Sequence, residues 1–296
     1  MIPHQSGPIK KVCIVYKNTF FQNHVVGKKN KKLFDFIKRK HPLTKPIESS
    51  HKMHVLAVQK VIQLLLKRGI HPKVSQRTRI TSLEGYDLII TIGGDGTLLR
   101  TCHHIHNQLV LGINSAPQHS VGALCALVID QLEKKLDDIL QGNFLTKKIQ
   151  RIRIKINNKH LPVEPINDVL YTSISPAATS RYIISHDRIK EEHKSSGIWI
   201  ATQTGSSAAI NAAGGLKQHP LDIRLQYLIR EPYQGTFNPY RLTRGFINRG
   251  EQLKIVSKMT RSCLYLDGPT KFFTLDYGDR VALDISNKVL NLVTLT

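Results

Sequence analysis

The chain has 296 residues, with 43 Lys and Arg against 21 Asp and Glu, a formal net charge of +22 and a pI near 10.0. Hydrophobic residues make up 41%, enough for a packed core, which excludes global disorder; the length allows one large domain or two ordinary ones. The charge leaves three classes of partner: nucleic acid, an anionic membrane surface, or small polyanionic substrates. Cys13, Cys102, Cys125 and Cys263 are far apart, which argues against a disulfide scaffold or zinc ribbon and points to a reducing, cytoplasmic setting. No apolar run approaches the ~20 residues of a membrane span. Residues 1–8 lack both a secretory apolar segment and an Arg-rich presequence.

In chain order, residues 11–16 (KVCIVY) read as a strand. The stretch from Lys28 to Lys45 follows, with Asp35 its only acid. Phe34, Phe36 and Ile37 make part of it helical, while Pro42 and Pro46 mark loop. Residues 53–68 carry apolar side chains at helical spacing and stop at Gly69. Residues 88–92 (LIITI) are a buried-type strand, 97–106 a helix and 110–113 a further strand, the signature of a βαβ unit in a parallel sheet. Residues 130–140 form one more amphipathic helix. Beyond Gln150 strands dominate, at 152–156, 169–173, 181–185 and onward to Leu295, with one helix near 206–213. The expected division is residues 1–145, an α/β domain, and residues 146–296, a β-rich, β-sandwich-like substrate-binding domain. The histidine groups His51/His54 and His103/His104/His106 have no Cys or carboxylate at ligand spacing, so they are read as coincidence in a chain of 14 His.

The sharpest local feature is Gly93-Gly94-Asp95-Gly96-Thr97, between the second strand and its helix. Glycines leaving a strand and entering a helix let backbone N–H groups approach an anion, and the helix N-terminus favours negative charge. Thr97 falls at the cap or in the first turn. An isolated Asp-Gly is an ordinary turn dipeptide, but a carboxylate inside a phosphate cradle is electrostatically costly. Its chemistry is either to hold a bridging cation or to accept a proton from an attacking hydroxyl. The loop is neither a Walker A sequence nor a Gly-x-Gly-x-x-Gly turn.

This loop resembles the signature of a kinase superfamily containing NAD kinases, diacylglycerol and sphingosine kinases, and 6-phosphofructokinases. The second half separates them. Ile166-Asn167-Asp168-Val169 is similar to the Asn-Glu/Asp motif of NAD kinases. Residues 195–207, containing Ser196-Gly197 and Thr202-Gln203-Thr204-Gly205-Ser206-Ser207, resemble that family's Asp-Gly and Thr-Pro-Thr-Gly-Ser-Thr segment. Ala213-Gly214-Gly215 and Leu266-Asp267-Gly268 match its later glycine motifs. The family usually has Asp at Ser196, Pro at Gln203 and Tyr at Ala209. The first two departures, with Gly112-Ile113-Asn114-Ser115-x-Pro117 and Arg230-Glu231-Pro232, are similar to the mitochondrial and plant-type NAD(H) kinases.

The resemblance implies an NAD kinase/diacylglycerol kinase-like fold and phosphorylation of the adenosine-ribose 2′-hydroxyl of NAD or NADH. The donor would be ATP or polyphosphate with Mg²⁺, the metal travelling with the donor near Asp95. It implies a homodimer or homotetramer, with substrate between the two halves. Asp95 would be the general base; Gly93, Gly94, Gly96, Thr97 and Asn114 would bind phosphate or nucleotide. Asn167, Asp168, Ser196, Thr204, Gly205, Ser206 and Ser207 would bind substrate. Read without the family, hydroxyls and N–H groups at a short helix start can hold ribose or phosphate, and an Asn amide can read an adenine edge. Two rival readings are a diacylglycerol-type lipid kinase and a catalytically weak NADP(H)-binding protein. Nucleic-acid binding through the lysine-rich stretch is a third, without a recognised module.

Overall fold

The computed structural model describes residues 2–3, 7–27, 30–233 and 239–295. The chain divides into two compact units, Met1–Lys148 with Leu290–Thr296, and Ile149–Val289. The division expected near residue 145 thus leaves out the return of the last residues to the first unit.

The first unit is built on a parallel sheet. Its elements are β1 (Val12–Tyr16), α1 (Lys31–Lys38), α2 (Lys45–Leu66), β2 (Lys73–Gln76), β3 (Leu88–Gly93), α3 (Asp95–Cys102), β4 (Leu109–Asn114) and α4 (Ile129–Gln141). The spatial order is β2-β1-β3-β4. All six residues of β3 and of β4 are buried, which is why both read as continuous apolar runs instead of alternating ones. Ile14, Ile90 and Leu111 pack with Ala57, Val61 and Leu65 of α2 and with Leu132 and Leu136 of α4. Pro46, expected to mark loop, lies in the first turn of α2. That position leaves its missing N–H without consequence, because first-turn amides have no intrahelical acceptor. The helix expected over 97–106 begins at Asp95 and ends at Cys102.

The second unit is a sandwich of antiparallel strands. It comprises most of β5 (Leu145–Ile156), then β6 (Asp168–Ser173), β7 (Ser180–His186), β8 (Ile189–Ser195), β9 (Gly197–Ala201), α5 (Ala209–Ala212), β10 (Leu225–Arg230), β11 (Arg244–Ile247), β12 (Leu253–Ser257), β13 (Ser262–Leu266), β14 (Lys271–Leu275) and the first part of β15 (Arg280–Thr294). One sheet runs β11-β10-β9-β6-β13-β14, and the other contains β8-β7-β12-β15. Both contribute to one core: Val169 and Ile200 from the first, Tyr182, Ile255 and Leu283 from the second. Tyr171 and Tyr182, one from each, meet edge to face at 5.4 Å. The helix expected over 206–213 is a 3-10 turn, Gly205–Ser207, followed by α5.

The last part of β15 pairs parallel to β4 through Asn291↔Leu109 and Leu292↔Val110. Val293 is fully buried in the first unit's core. Val293→Ala is expected to cost about 2 kcal/mol of stability by lost burial and a residual cavity. Urea denaturation checks it; a change within error would mean that this return strand is peripheral.

Candidate active site

The strand register assembles the first half of the site. Tyr16 pairs with Gln76 on one side and Ile92 on the other, and Gly93 pairs with Asn114. Lys17, Arg77, the loop from Gly93 and the residues after Asn114 therefore leave the sheet side by side at its C-terminal edge. β1 connects through α2 to β2 on one flank, whereas β3 connects through α3 to β4 on the other. The crevice between β1 and β3 is thus a topological switch point, where open parallel sheets bind ligands.

Gly94 is the N-cap of α3, and Thr97 N donates to Gly94 O at 2.9 Å. A Cβ at Gly94 would lie 2.0 Å from Ser120 Oγ, so a larger residue here would have to turn the Ser120 hydroxyl aside. Asp95 opens the helix. Its Oδ1 accepts from Leu124 N at 2.8 Å and its Oδ2 from Ala123 N at 3.0 Å. The two bonds fix the carboxylate's orientation while each oxygen keeps a second lone pair. Asn114 braces the neighbouring turn, donating from Nδ2 to Ser120 O at 2.9 Å and accepting Ala116 N at Oδ1. The Cys125 thiol, beside Asp95, is pushed up to about 12 by burial and then by that carboxylate, so it stays protonated.

Three cations surround the loop. Arg77 donates from Nη1 to Gly96 O at 3.3 Å, and its backbone N–H bonds Tyr16 O at 2.8 Å. Burial and then the Arg100 guanidinium push Arg77 below its ordinary value; burial and then Arg77 do the same to Lys17. Among the described residues none of the three has a carboxylate partner. Half-buried, mutually repelling cations at a switch point form a place for a polyanion. His54 ties this edge together. Its Nε2 donates to Lys17 O at 2.9 Å, which leaves Nδ1 to accept the Ser115 hydroxyl at 2.8 Å. Burial holds it neutral, its value lowered to about 4. Lys17, Arg77 and Arg100 are not assigned from the sequence, and His54 is read there as coincidence. The signals were a lysine directly after β1, an arginine one turn beyond Asp95, and a histidine later found on the buried side of α2.

In the second unit the turn Asp267-Gly268 governs the Asn167-Asp168 motif. Asp267 adopts a left-handed φ of +50°, and its carboxylate accepts Asn167 N at 2.8 Å, Ile166 N at 3.1 Å and Asp168 N at 3.2 Å. Three N–H bonds to one carboxylate offset that backbone cost, on the order of 1–2 kcal/mol. Thr202 Oγ1 donates to Ile166 O at 2.6 Å, and Gly205 N donates to Thr202 Oγ1 at 3.2 Å. A Cβ at Gly205 would sit 2.0 Å from Asn167 O; glycine alone lets the 202–207 turn close on the motif. Ser206 is buried, bonding Gln203 O and Gln218 N. The half-exposed Thr204 and exposed Ser207 hydroxyls have no partner among the described residues.

So Asn167, Asp168, Thr204, Gly205, Ser206 and Ser207 come together. Ser196 does not join them. It precedes β9, whereas Thr202 follows it, a separation of about 20 Å along an extended strand. Ser196 lines a different cavity of about 320 Å³, with Thr179, Glu231 and Tyr233. Among the described residues no three His, Cys, Asp or Glu side chains converge as a metal site.

Asp168 and Asp267 are 6% and 8% exposed. Burial, then Asp267, raise Asp168 to about 7, against a smaller lowering by the Asn167 amide, which bonds Oδ2 at 2.9 Å. A cavity of about 390 Å³ opens beside Asp168, walled by Leu170, Trp199, Tyr265, Pro269 and Phe272. Folded Asp168 holds its proton more tightly than the unfolded chain does. Its contribution favours folding below the ordinary value of 3.8 and is lost as pH rises through about 7. Asp168→Asn is expected to raise the melting temperature at pH 8 and to change it little at pH 4. An equal shift at both pH values would exclude ionisation as the cause.

The ATP-NAD kinase N-terminal domain family matches residues 25–144. A probable NADH kinase of Oryza sativa subsp. japonica is 31% identical over 229 residues, 70% of each chain. The NADH kinase of Arabidopsis thaliana is 31% identical over 272 residues, 83% of this chain and 85% of that one. Among solved structures, an NAD kinase from Archaeoglobus fulgidus in complex with ATP superimposes with a TM-score of 0.68 at 17% identity, covering 95% of this chain and 92% of its own. Yeast NADH kinase complexed with NADH gives 0.67 at 16% identity, covering 98% and 84%. The structural likeness establishes the fold, and the plant relatives, similar over most of both chains, establish that this protein belongs to the NAD kinase family.

Proposed function

We propose that the protein phosphorylates the adenosine-ribose 2′-hydroxyl of NAD or NADH, with ATP or polyphosphate as donor. One observation carries the reading: a carboxylate, Asp95, is held in fixed orientation at a helix N-terminus beside three half-buried, unpaired cations. Phosphoryl transfer needs a group to take the hydroxyl proton and positive charge for the donor's phosphates, and little else beyond positioning.

In this scheme Asp95 accepts the 2′-hydroxyl proton as the ribose oxygen bonds to the terminal phosphorus. The bond to the leaving phosphate oxygen breaks, and its electron pair departs with the shortened donor. The α3 N-terminus presents the loop amides to phosphate oxygens, with Thr97 adding its hydroxyl. Lys17, Arg77 and Arg100 neutralise donor charge. Asn167, Asp168, Thr204 and Ser207 hold the adenosine. The donor set around Asp95 suits a Mg²⁺ ion bound chiefly by phosphates, as is usual for that metal; it would supply further neutralisation of the transferring group. Cysteines that form no disulfide among the described residues support a reducing, cytoplasmic setting. No helix among the described residues is long and apolar enough to cross a membrane. A homodimer or homotetramer is the assembly the family resemblance implies.

Asp95→Asn is expected to lower NADP formation by about 10³-fold without changing the melting temperature by more than a few degrees. Coupling the product to an NADP-specific dehydrogenase measures it, and full activity would overturn the base assignment. Dinucleotide binding without turnover by the unaltered protein, whichever donor is supplied, would replace the kinase reading with that of a binding protein. Arg77→Met is expected to raise KM for the donor about tenfold and to leave KM for the dinucleotide unchanged. The opposite split would place Arg77 on the dinucleotide side.

A further inference from the structure

The phosphate chemistry does not use the lysine-rich segment between β1 and the middle of α2. Residues 31–52 carry seven cations, six of them lysine, against Asp35 and Glu48. Among the described residues none of the seven has a carboxylate partner. Glu48 is engaged by the Thr44 hydroxyl at 2.9 Å. The same region exposes large apolar side chains: Val26, Phe34, Leu43 and Leu56 are 44–69% exposed. No residue of α1 is buried, and none belongs to the first unit's core. A groove of about 500 Å³ runs along one face of α2, with Lys40, Lys45 and Lys52 at its rim and Met53 and Leu56 among its walls.

Scattered exposed apolar residues are ordinary, and so are lysines. Their combination in one short stretch is what needs an explanation. A protein partner fits poorly, because lysine is depleted from protein interfaces, where Tyr, Trp and Arg dominate. A nucleic acid would use the cations and leave Leu43, Val26 and Phe34 in water. A lysine-rich polar rim with Phe and Leu protruding beside it is the composition of a segment lying on an anionic bilayer. The topology supplies the presentation. His54 of α2 is level with the sheet edge through Lys17 and Ser115, so residues 45–53, N-terminal to it on a helix running back along the sheet, project past that edge.

We propose that residues 31–56 form a docking surface for an anionic phospholipid membrane, with Lys40, Lys45 and Lys52 meeting headgroup phosphates and Leu43, Phe34 and Leu56 entering the interfacial layer. The surface is separate from the residues assigned to phosphoryl transfer, so the inference does not depend on the kinase reading.

Co-sedimentation with vesicles tests it, comparing phosphatidylcholine alone with mixtures holding about 30 mol% phosphatidylserine, at about 0.1 M salt. The protein is expected to partition onto the anionic vesicles and not onto the neutral ones. A K40E/K45E/K52E variant should lose about 100-fold or more in partitioning, and L43S/F34S about tenfold. A control, K159E/K190E/K254E, changes three exposed lysines of the second unit and alters net charge equally; it should stay within about twofold. Circular dichroism and lipid-free NADP formation report folding of each variant. Equal loss in both triple variants would reduce the effect to net charge and overturn the proposal. So would partitioning that ignores phosphatidylserine, or an unaffected L43S/F34S. Poly-glutamate binding lost in K40E/K45E/K52E while vesicle binding persists would reassign the face to an acidic protein partner.

Discussion

The pairing of β1 with β2 and β3 is the constraint from which the rest of the first unit's site follows. Because Tyr16 is flanked by Gln76 and Ile92, the next residue of each strand is delivered to one edge: Lys17, Arg77 and Gly93. A slip of one residue would invert every side chain of β1 and set Ile14 against the wrong helix layer. Burial on both faces therefore protects the register, and the register places the chemistry. The cations need no dedicated scaffold of their own, only strands that end together.

The second unit solves a similar problem with hydrogen bonds instead of strand ends. One carboxylate, Asp267, collects three successive amides, and Asn167 O lies against Gly205, whose lack of a side chain lets the turn close. The arrangement brings a second carboxyl, Asp168, close to the first in a buried setting. Burial, and then the neighbouring Asp267, raise the Asp168 carboxyl to about 7. Stability given up at this position is intelligible if the group exists to meet a ligand.

Much of this was legible in the sequence where the physics is local. The LIITI run, the glycines after it and the helix beyond them need only strand burial and turn chemistry, and they emerge as read to within a few residues. The half-polar edge strand β2, Lys-Val-Ser-Gln, offered no comparable signal. Pro46 misled because proline marks both loops and first helical turns, and only the packing of α2 decides between them. The return of Val293 to the first unit and the clasp of Asp95 by Ala123 and Leu124 depend on pairings distant in sequence, which no local pattern encodes. Ser196 is the reverse case. The family resemblance assigns it to substrate binding together with Thr204, and the extended strand Gly197–Ala201 sets the two at opposite ends of one element.

The net charge of +22 resolves into two physically different populations. Lys17 and Arg77 are held in partly desolvated positions near one another, where each unpaired cation costs free energy that water would otherwise supply. Selection has no reason to keep such an arrangement unless an anion repays it, so burial turns an uninformative charge into a specific one. The lysines of residues 31–52 are solvated and cost the fold almost nothing; taken alone they say little. What makes them informative is the neighbouring Leu43, Phe34 and Leu56, whose exposure carries a cost that only a covering surface removes. In each population one kind of group is out of place, a cation short of water in one case and an apolar side chain without cover in the other.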